Sequence, residues 1–348
     1  MAHGKDPAAD KAGERAAATV SELADRFLAE HVAAKRKPGT TDLYRDLLAR
    51  IVKPELGATK SDKLTRAAVT RLHSKLRATP FQANRMLAVV GSMYAFGERV
   101  GIVPEGMNPA RKIVRFAEHR RERFLTGEEL ERLGAAIREA ETTGIPWRVR
   151  ENAPKAKHLA KEEKRFTKID RYAAAALRLL LFTGARVGEV LHLKWEHVDL
   201  ERGLLFLPDS KTGRKTLVLN APAMAVLAEL PRVGAYVIAG DSAGTDKEKP
   251  RADLKRPWAA IAGRANLEGV RIHDLRHTHA SIGAGAGLGL PIIGKLLGHA
   301  QAATTARYAH LDADSLRRAS EAIGGRIGAA MGEAPNKGGE VVPLNRRS

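Results

Sequence analysis

The sequence predicts a mainly α-helical protein with a small β-hairpin, arranged as two lobes: a helical first domain and an α+β second domain. Three observations lead to this prediction. Apolar residues recur at helical spacing through most of the chain, and two of these segments begin with a capping box. Two short β-rich runs, LLFLP and TLVLN, lie close together in the second half. A chain of 348 residues that is 44% hydrophobic is long enough for two or three domains with separate cores.

Shifts in composition predict the domain boundaries. The predicted segments are a disordered leader at 1–18, a helical domain at 19–101, a basic linker at 102–123, a second domain at 124–330 and a flexible tail at 331–348. The linker has no apolar stripe, and it contains prolines and many basic residues. Two interpretations of it stay open: a solvated tether, or a cationic segment that follows a phosphate backbone.

Four helices are predicted in the first domain. Thr19 and Glu22 form a capping box at the start of the first apolar stripe. The second helix follows the basic turn KRKPGTT and is expected to end before Pro54. The third contains LTRAAVTRLHSKLR, and the fourth opens at Pro80 and closes at Gly101.

The second domain is predicted to begin at LTGEELERL, where Thr126 and Glu129 form another capping box. A polar insert at about 144–168 is expected to be a mobile loop, and a helical pattern resumes at 170–182. The two β-rich runs are joined by DSKTGRK and predict a hairpin. Further helices are predicted over APAMAVLAEL, residues 251–265, HDLRHTHASIGAGAG, PIIGKLLGH and residues 312–329.

Charge and residue content narrow the range of partners. The chain has 59 Lys and Arg against 40 Asp and Glu, a net charge of +19 that favours a polyanion, most commonly nucleic acid. The absence of cysteine excludes disulfides, zinc–thiolate sites and thiol nucleophiles. The first residues lack the apolar core of a signal peptide, and the most apolar run is too short to span a bilayer. We therefore expect a cytoplasmic protein with no membrane contact.

Several fragments of the second domain contain chemically reactive side chains, each of which has an ordinary explanation when taken alone. Arg186 at a helix start and Lys211 in a hairpin turn fit surface positions. His273 and Arg276, at i and i+3, fit a solvated pair on one helix face. His299 follows an apolar helix, where it can interact with the helix dipole. The candidate set is Arg186, Lys211, His273, Arg276, His299 and Tyr308.

Taken together, these side chains are the groups that metal-free phosphoryl transfer needs. A guanidinium is a permanent planar cation that can hold two nonbridging phosphate oxygens. A tyrosine hydroxyl, with a pKa near about 10, needs a base or a strong local cation before it attacks. A lysine or histidine can protonate the leaving alkoxide. The histidines of HDLRHTH lack the carboxylate of an H-E-x-x-H zinc motif, so we expect neither a metal nor another cofactor.

The motifs TGARVGEVLHLKW, HDLRHTHAS and LLGHAQAATTARYAHL resemble those of the tyrosine recombinases, also called phage-type integrases. The specific signal is a His-x-x-Arg pair, then Gly-His, then a tyrosine nine residues further on (308 − 299). The resemblance covers about residues 19–325. The helical domain at 19–101 is similar to the core-site DNA-binding domain of that family, and the insert at 144–168 is a departure from its pattern.

The resemblance implies how a phosphate would be held and attacked. Tyr308 would attack the scissile phosphate, forming a 3′-phosphotyrosyl bond and releasing a 5′-hydroxyl. Arg186 and Arg276 would hold the nonbridging oxygens, and His299 would donate a further hydrogen bond to them. Because the phosphotyrosine conserves the bond energy, rejoining would need no ATP.

The resemblance also implies how protons would move. His273 would act as the general base on the tyrosine, and Lys211 would protonate the leaving 5′-oxygen. Glu189 would orient neighbouring groups rather than react. These roles come from the resemblance alone.

We expect this protein to be the integrase of a mobile element that acts on double-stranded DNA. It is expected to work as a tetramer on two duplexes, with its C-terminal helix packed on a neighbouring subunit. The alternatives are a chromosome-dimer resolvase, a type IB topoisomerase-like enzyme, and a DNA-binding protein without catalytic activity. In the first domain, the residues expected to contact DNA are Lys35, Arg36, Lys37 and Arg85.

Overall fold

The chain divides into two compact units, Met1–Arg121 and Glu122–Ser348. The computed structural model describes residues 17–118, 122–147, 161, 164–210, 213–299, 301–311 and 315–332. The leader at 1–16, the tail from 333 onward and Lys211 lie outside the described residues, as does most of the insert. No helix in the described ranges is both long enough and apolar enough to cross a bilayer.

The first unit is helical. Its helices are α1 (Val20–Arg26), α2 (Ala33–Lys35), α3 (Pro38–Leu47), α4 (Lys53–Leu56), α5 (Arg66–Lys75) and α6 (Pro80–Arg99). Thr19 caps α1 and forms the predicted capping box with Glu22. Apolar side chains from α1, α3, α5 and α6 share one core, in which Phe27, Met93 and Tyr94 are fully buried. The prediction of a helical first domain is therefore confirmed.

The predicted end of the second helix is wrong, because the helix passes through Pro54. A π-helical turn at Leu48–Val52 separates α3 from α4, and the backbone N–H of Lys53 bonds to the carbonyl of Leu48. Pro54 therefore lies in the first turn of α4. A proline has no N–H to donate, so it is tolerated where a widened turn has already interrupted the α-helical ladder.

Part of the predicted linker packs within the first unit, at Val103 and Phe116, while most residues of 104–118 are exposed. Val103 joins the core. The side chain of Asn84 accepts from the backbone N–H of Phe116 at 3.0 Å and donates to its carbonyl at 2.9 Å. The Phe116 ring stacks on His73 with ring centroids 4.1 Å apart. Asn84 and His73 are both buried, and an attachment made by polar side chains leaves no apolar stripe in the sequence.

In its described residues, the second unit combines helices with two antiparallel sheets. Its helices are α7 (Gly127–Glu141), α8 (Arg171–Thr183), α9 (Val187–Leu191), α10 (Ala221–Ala228), α11 (Lys255–Arg264), α12 (Ile272–Gly285), α13 (Leu290–Leu297), α14 (Ala302–Thr305) and α15 (Ser315–Ala330). Its strands are β1 (Ile145–Pro146), β2 (Phe166–Thr167), β3 (Val198–Asp199), β4 (Leu204–Ser210) and β5 (Gly213–Val218). Thr126 and Glu129 form the predicted capping box.

The predicted hairpin is present and carries a third strand. Strands pair in the order β3-β4-β5, with Leu205 opposite Leu217. Strands β1 and β2 join the two described ends of the polar insert, a pairing that the sequence did not predict. Helix α8 lies at the centre of this unit's core, with Leu177, Leu179 and Leu180 almost fully buried. This arrangement confirms the prediction of a mainly α protein with an α+β second domain.

Candidate active site

The C-terminal ends of α8 and α13 meet at one point of the second unit. Gly184 ends α8 in the left-handed conformation, with φ +63°. A Cβ atom at this position would lie 2.7 Å from a Leu297 methyl and 2.8 Å from the His279 ring. Only glycine allows the two helix ends to approach this closely. As a result, the last carbonyls of both helices, which have no partners within their own helices, point toward the same place.

Arg276 lies where those carbonyls converge. Its guanidinium donates to the carbonyl of Gly184 at 2.6 Å and to that of Leu297 at 2.9 Å. The negative ends of both helix dipoles favour a cation here. Burial, together with repulsion from Arg186, lowers the pKa of Arg276 to about 10, so it remains charged at neutral pH. The carbonyl contacts hold the guanidinium in position and leave other N–H groups able to bind an anion.

A buried carboxylate holds the second arginine. Arg186 precedes α9, and its guanidinium donates to Glu189 at 2.8 Å while its backbone N–H donates to the other carboxylate oxygen at 2.9 Å. Lys215 of β5 donates to Glu189 at 2.8 Å and to the Leu297 carbonyl at 3.2 Å. The side chains of Lys215 and Glu189 are only 6% and 5% exposed. The lysine therefore connects the hairpin to the end of α13.

The charged groups of this cluster shift one another's pKa values. Burial alone would raise the pKa of Glu189, but its bonds to Arg186 and Lys215 lower it, so the carboxylate stays ionised. Burial, with repulsion from Arg276 and Arg186, lowers the pKa of Lys215. One carboxylate faces three cations here, so the cluster carries an excess of positive charge and suits a phosphate anion.

Tyr308 lies in a 3-10 helix, Ala306–Leu311, and is 5% exposed. Its hydroxyl contacts Nδ1 of His277 on α12 at 2.6 Å. Burial raises the pKa of the Tyr308 hydroxyl, while Arg307 and Arg276 act in the opposite direction. The guanidinium of Arg307 lies 5.9 Å from the tyrosine ring centre. The tyrosine is thus close to cations, and its hydroxyl is hydrogen-bonded to an imidazole.

His299 approaches the cluster from the turn after α13. Its Nδ1 contacts the hydroxyl of the buried Thr305 at 2.7 Å. Burial, followed by repulsion from Arg276 and Arg186, lowers the pKa of His299 to about 4. If the threonine hydroxyl donates to Nδ1, the imidazole proton lies on Nε2 and can be donated to an anion.

The structure brings together most of the predicted set. Arg186, Arg276, His299 and Tyr308 share electrostatic contacts in one site. His273, on the solvent side of α12, lies close to the same cations: partial burial of its ring, together with repulsion from Arg276 and Arg186, lowers its pKa. Its ring centre is 5.0 Å from that of His277. Lys211 lies outside the described residues, between β4 and β5.

The sequence interpretation missed two residues of this site, Lys215 and His277. Lys215 stands in the same SKTGRK fragment as Lys211, on a strand whose alternation points it inward. His277 follows Arg276 directly, four residues after His273 on the same helix. Helical spacing could have paired the two histidines, but no sequence signal could show which of them contacts Tyr308.

The four basic residues predicted to contact DNA are exposed in the first unit. Lys35 ends α2, and Arg36 and Lys37 form the turn before α3. Arg85 lies on the exposed face of α6. Their positions allow contact with a polyanion, and their role remains a prediction.

A tyrosine beside two fixed arginines and several histidines is the arrangement that phosphoryl transfer to a tyrosine would need. The sequence profile of the phage integrase family matches residues 152–315. The chain is 26% identical over 222 residues to the integrase of Salmonella phage P22, covering 56% of this chain and 57% of that protein. It is 29% identical over 252 residues to tyrosine recombinase XerA of Thermococcus kodakarensis, covering 66% and 87%.

Solved structures show the same fold. A lambda integrase tetramer bound to a Holliday junction matches with a TM-score of 0.61 and 15% identity, over 86% of this chain and 83% of that chain. The second unit therefore resembles the integrases and tyrosine recombinases that it matches, most specifically over residues 152–315. The chain spans 34–57% of the length of the first four curated relatives that it matches.

Proposed function

We propose that this protein is a site-specific DNA recombinase, the integrase of a mobile element, which cuts and rejoins double-stranded DNA through a 3′-phosphotyrosyl intermediate. One observation supports this most strongly. The helix ends at Gly184 and Leu297 fix Arg276, and Glu189 fixes Arg186, beside a buried tyrosine hydroxyl. Two guanidiniums fixed before any anion binds are suited to the charge that develops on a phosphate under attack.

In the proposed reaction, the Tyr308 oxygen bonds to the scissile phosphorus and the bond from phosphorus to the 5′-oxygen breaks. Arg186 and Arg276 hold the nonbridging oxygens, and Nε2 of His299 donates to them. Lys211 protonates the leaving 5′-oxygen, and the family resemblance gives His273 the role of base. Attack by a 5′-hydroxyl of a second duplex reverses the step, so no ATP, metal or other cofactor enters it.

The binding of the DNA around this site is part of the proposal. Lys35, Arg36, Lys37 and Arg85 would contact phosphates, and the net charge of +19 supports an affinity that falls steeply with salt. Replacing all of Lys35, Arg36 and Lys37 by alanine should weaken binding to every duplex and reduce the salt slope by up to about three. An unchanged slope would remove this cluster from the interface.

We propose that the protein acts in the cytoplasm as a tetramer on two duplexes. The similarity in fold to a lambda integrase tetramer bound to a Holliday junction supports the tetramer. Helix α15 supports this assembly because Ile323 and Ile327, at i and i+4, are 61% and 54% exposed. The second unit also has an apolar groove, lined by Leu133, Ile137, Leu177, Ile282 and Ile293. A second copy would receive α15 there, and Ile323→Asp should reduce assembly on DNA while leaving single-site binding intact.

The test of the reaction uses a duplex from the ends of the element, nicked beside the cleavage point so that the short product diffuses away. The wild-type protein should give a denaturation-resistant protein–DNA band, and Tyr308→Phe should give none while it binds the same duplex. Tight binding by the wild type without a covalent band, on duplexes that tile both element ends, would favour a non-catalytic DNA-binding protein.

A second candidate function uses the same chemistry in a different biological role, that of a chromosome-dimer resolvase or a type IB topoisomerase-like enzyme. The match to the tyrosine recombinase XerA along 87% of its length favours a recombination role, such as that of a resolvase, over a topoisomerase. Three plasmid assays separate these roles. Joining of two different sites supports the integrase, deletion between identical repeats supports the resolvase, and relaxation of supercoils without any site supports the topoisomerase.

A further inference from the structure

We propose that His277, and not His273, takes the proton of the Tyr308 hydroxyl as that oxygen attacks the phosphate. The inference deepens the proposed function and rests on it. It reassigns the base from the residue that the resemblance names to the residue that contacts the reacting atom.

The geometry on the tyrosine carries the inference. Nδ1 of His277 lies 2.6 Å from the Tyr308 hydroxyl oxygen, a short distance for a neutral hydrogen bond between these groups. A general base must lie within hydrogen-bond reach of the proton that it removes, and His277 meets that condition before DNA arrives. His273 is one turn earlier on α12, and its ring packs edge-on against His277 with centroids 5.0 Å apart.

The surroundings of His277 keep its ring neutral, so that it can accept a proton. Burial, followed by repulsion from Arg307, lowers the pKa of His277 to about 4, so the ring is neutral at physiological pH. With the ring proton on Nε2, the lone pair of Nδ1 faces the tyrosine O–H. A protonated His277 could only donate there, and it would compete with the tyrosine's own proton.

The same surroundings keep the proton on Tyr308 until a phosphate binds. Burial raises the pKa of the tyrosine hydroxyl, while that of His277 is low, so the free protein holds a neutral hydrogen-bonded pair. A phosphate anion would offset the cations around the site and would raise the basicity of His277. Bond formation to phosphorus at the same time makes the tyrosine O–H more acidic.

The step balances without another reactant. As the Tyr308 oxygen bonds to phosphorus, its proton moves to Nδ1 of His277, and the bond from phosphorus to the 5′-oxygen breaks. The leaving oxygen takes a proton from the general acid of the proposed function, Lys211. In rejoining, the attacking 5′-hydroxyl gives its proton to Lys211, and the His277 imidazolium returns its proton to the departing Tyr308 oxygen. The histidine thus serves as base in cleavage and as acid in religation.

The variant that isolates this role is His277→Asn. The Asn amide oxygen lies close to the position of the His Nδ1 atom, so it can accept the hydrogen bond from Tyr308 but cannot take up the proton. We expect the rate of phosphotyrosyl formation at neutral pH to fall by about a hundredfold or more, with little change in DNA affinity. The residual rate should rise about tenfold per pH unit, as the tyrosinate fraction does, whereas the wild-type rate should level off.

His279→Asn is the matched control. His279 lies on the same helix, is partly buried, and bonds through Nδ1 to the carbonyl of Leu181 at 3.0 Å, away from the tyrosine hydroxyl. Its replacement tests the cost of exchanging a histidine in this helix, and it should leave the shape of the pH profile unchanged. His273→Asn, measured in parallel, compares the two assignments of the base directly.

A second measurement guards against a variant that folds poorly. In His277→Ala, added imidazole should restore phosphotyrosyl formation in proportion to its concentration, which a purely structural defect would not show. If His277→Asn keeps the wild-type rate and profile, or if the steep profile is found in His273→Asn instead, the inference is wrong. If the wild-type protein itself forms no covalent product, the proposed function fails and this inference fails with it.

Discussion

The two halves of the candidate site are held in different ways. Arg186 and Arg276 are fixed by buried contacts from a carboxylate, two helix ends and the hairpin lysine. Tyr308 lies on a short 3-10 helix, and its reactive oxygen has a bond to a single imidazole. The half that binds charge is built from the ends of α8, α9 and α13, whereas the half that reacts is built from short elements after them.

The difference has a physical reason. Stabilising a transition state requires groups that do not reorganise when charge develops, so fixed guanidiniums are an advantage. A nucleophile that forms and breaks a covalent bond has to move with the phosphate. The Tyr308 ring packs in a small buried cluster with Ile293 and Leu297, but its reactive oxygen is held by the hydrogen bond to His277 and not by a network of charges. We therefore expect substitutions in the arginine half to affect folding and rate strongly, and substitutions around Tyr308 to affect mainly the chemistry.

The largest effect is expected from Glu189→Ala. Removing this carboxylate leaves the buried Lys215 without its counter-charge, and breaking a buried pair in this way costs about 3–5 kcal/mol of unfolding free energy. Chemical denaturation of the second unit's signal measures the loss. Glu196→Ala, which breaks an exposed pair with Lys194, is the control and should cost at most about 1 kcal/mol. Equal effects of the two changes would show that the buried pair does not organise the site.

The next effect is expected from Arg276→Lys. A lysine keeps the charge but cannot reach both the Gly184 and Leu297 carbonyls while holding two phosphate oxygens. We expect phosphotyrosyl formation to fall by about a hundredfold or more, with DNA affinity nearly unchanged. Single-turnover cleavage of the nicked duplex gives the rate. A loss below about tenfold would mean that charge alone, without the fixed fork, accounts for the role of Arg276.

The arginine half was also easier to predict from the sequence. Arg186 and Arg276 stand in fragments with strong local signals, a helix start after Thr-Gly-Ala and a His-x-x-Arg spacing. The capping boxes at Thr19 and Thr126 were predictable for the same reason, because each rests on residues three apart. All of these features depend on residues only a few positions apart, so the sequence alone predicts them.

The features that the sequence did not predict depend on contacts between distant segments. The bond of Lys215 to the Leu297 carbonyl joins residues 82 positions apart, and that of His277 to Tyr308 joins residues 31 apart. The attachment of Phe116 to Asn84 is of the same kind, and it gives no apolar stripe because the buried partner is an amide. The passage of a helix through Pro54 needed a π-helical turn, which has no simple sequence pattern.

A smaller effect is expected from the dependence of stability on pH, to which the partly buried histidines of the site contribute. Burial, together with nearby cations, lowers the pKa values of His277 and His299 to about 4. Each folded-state value lies below the unfolded value of about 6.5, so the unfolded chain binds more protons between these limits and stability falls as the pH falls. The expected slope is about 1 kcal/mol per pH unit for each histidine, measured by denaturation between about pH 7 and 4. His299→Gln should give a shallower slope, and an unchanged slope would contradict this origin.

The smallest effect is expected from Thr305→Val, which tests to which half His299 belongs. The Thr305 hydroxyl bonds to Nδ1 of His299 at 2.7 Å, and the threonine side chain is buried, so valine fits the space while removing the bond. Losing one neutral hydrogen bond costs about 0.5–1.5 kcal/mol, and a rate loss of up to about tenfold is expected if the threonine only orients the ring. Thr305→Ser keeps the hydroxyl and should retain the wild-type rate.

The direction of that bond decides what His299 can do. A threonine that donates to Nδ1 places the ring proton on Nε2, ready for a phosphate oxygen, and its loss allows the other tautomer, which cannot donate from Nε2. His299 then belongs with the arginines, and Thr305→Val should cost no further rate in a His299→Gln variant, because both changes remove the same hydrogen bond to the phosphate. If Thr305→Val still slows the reaction in that variant, the threonine acts on the short helices that carry Tyr308 rather than through His299.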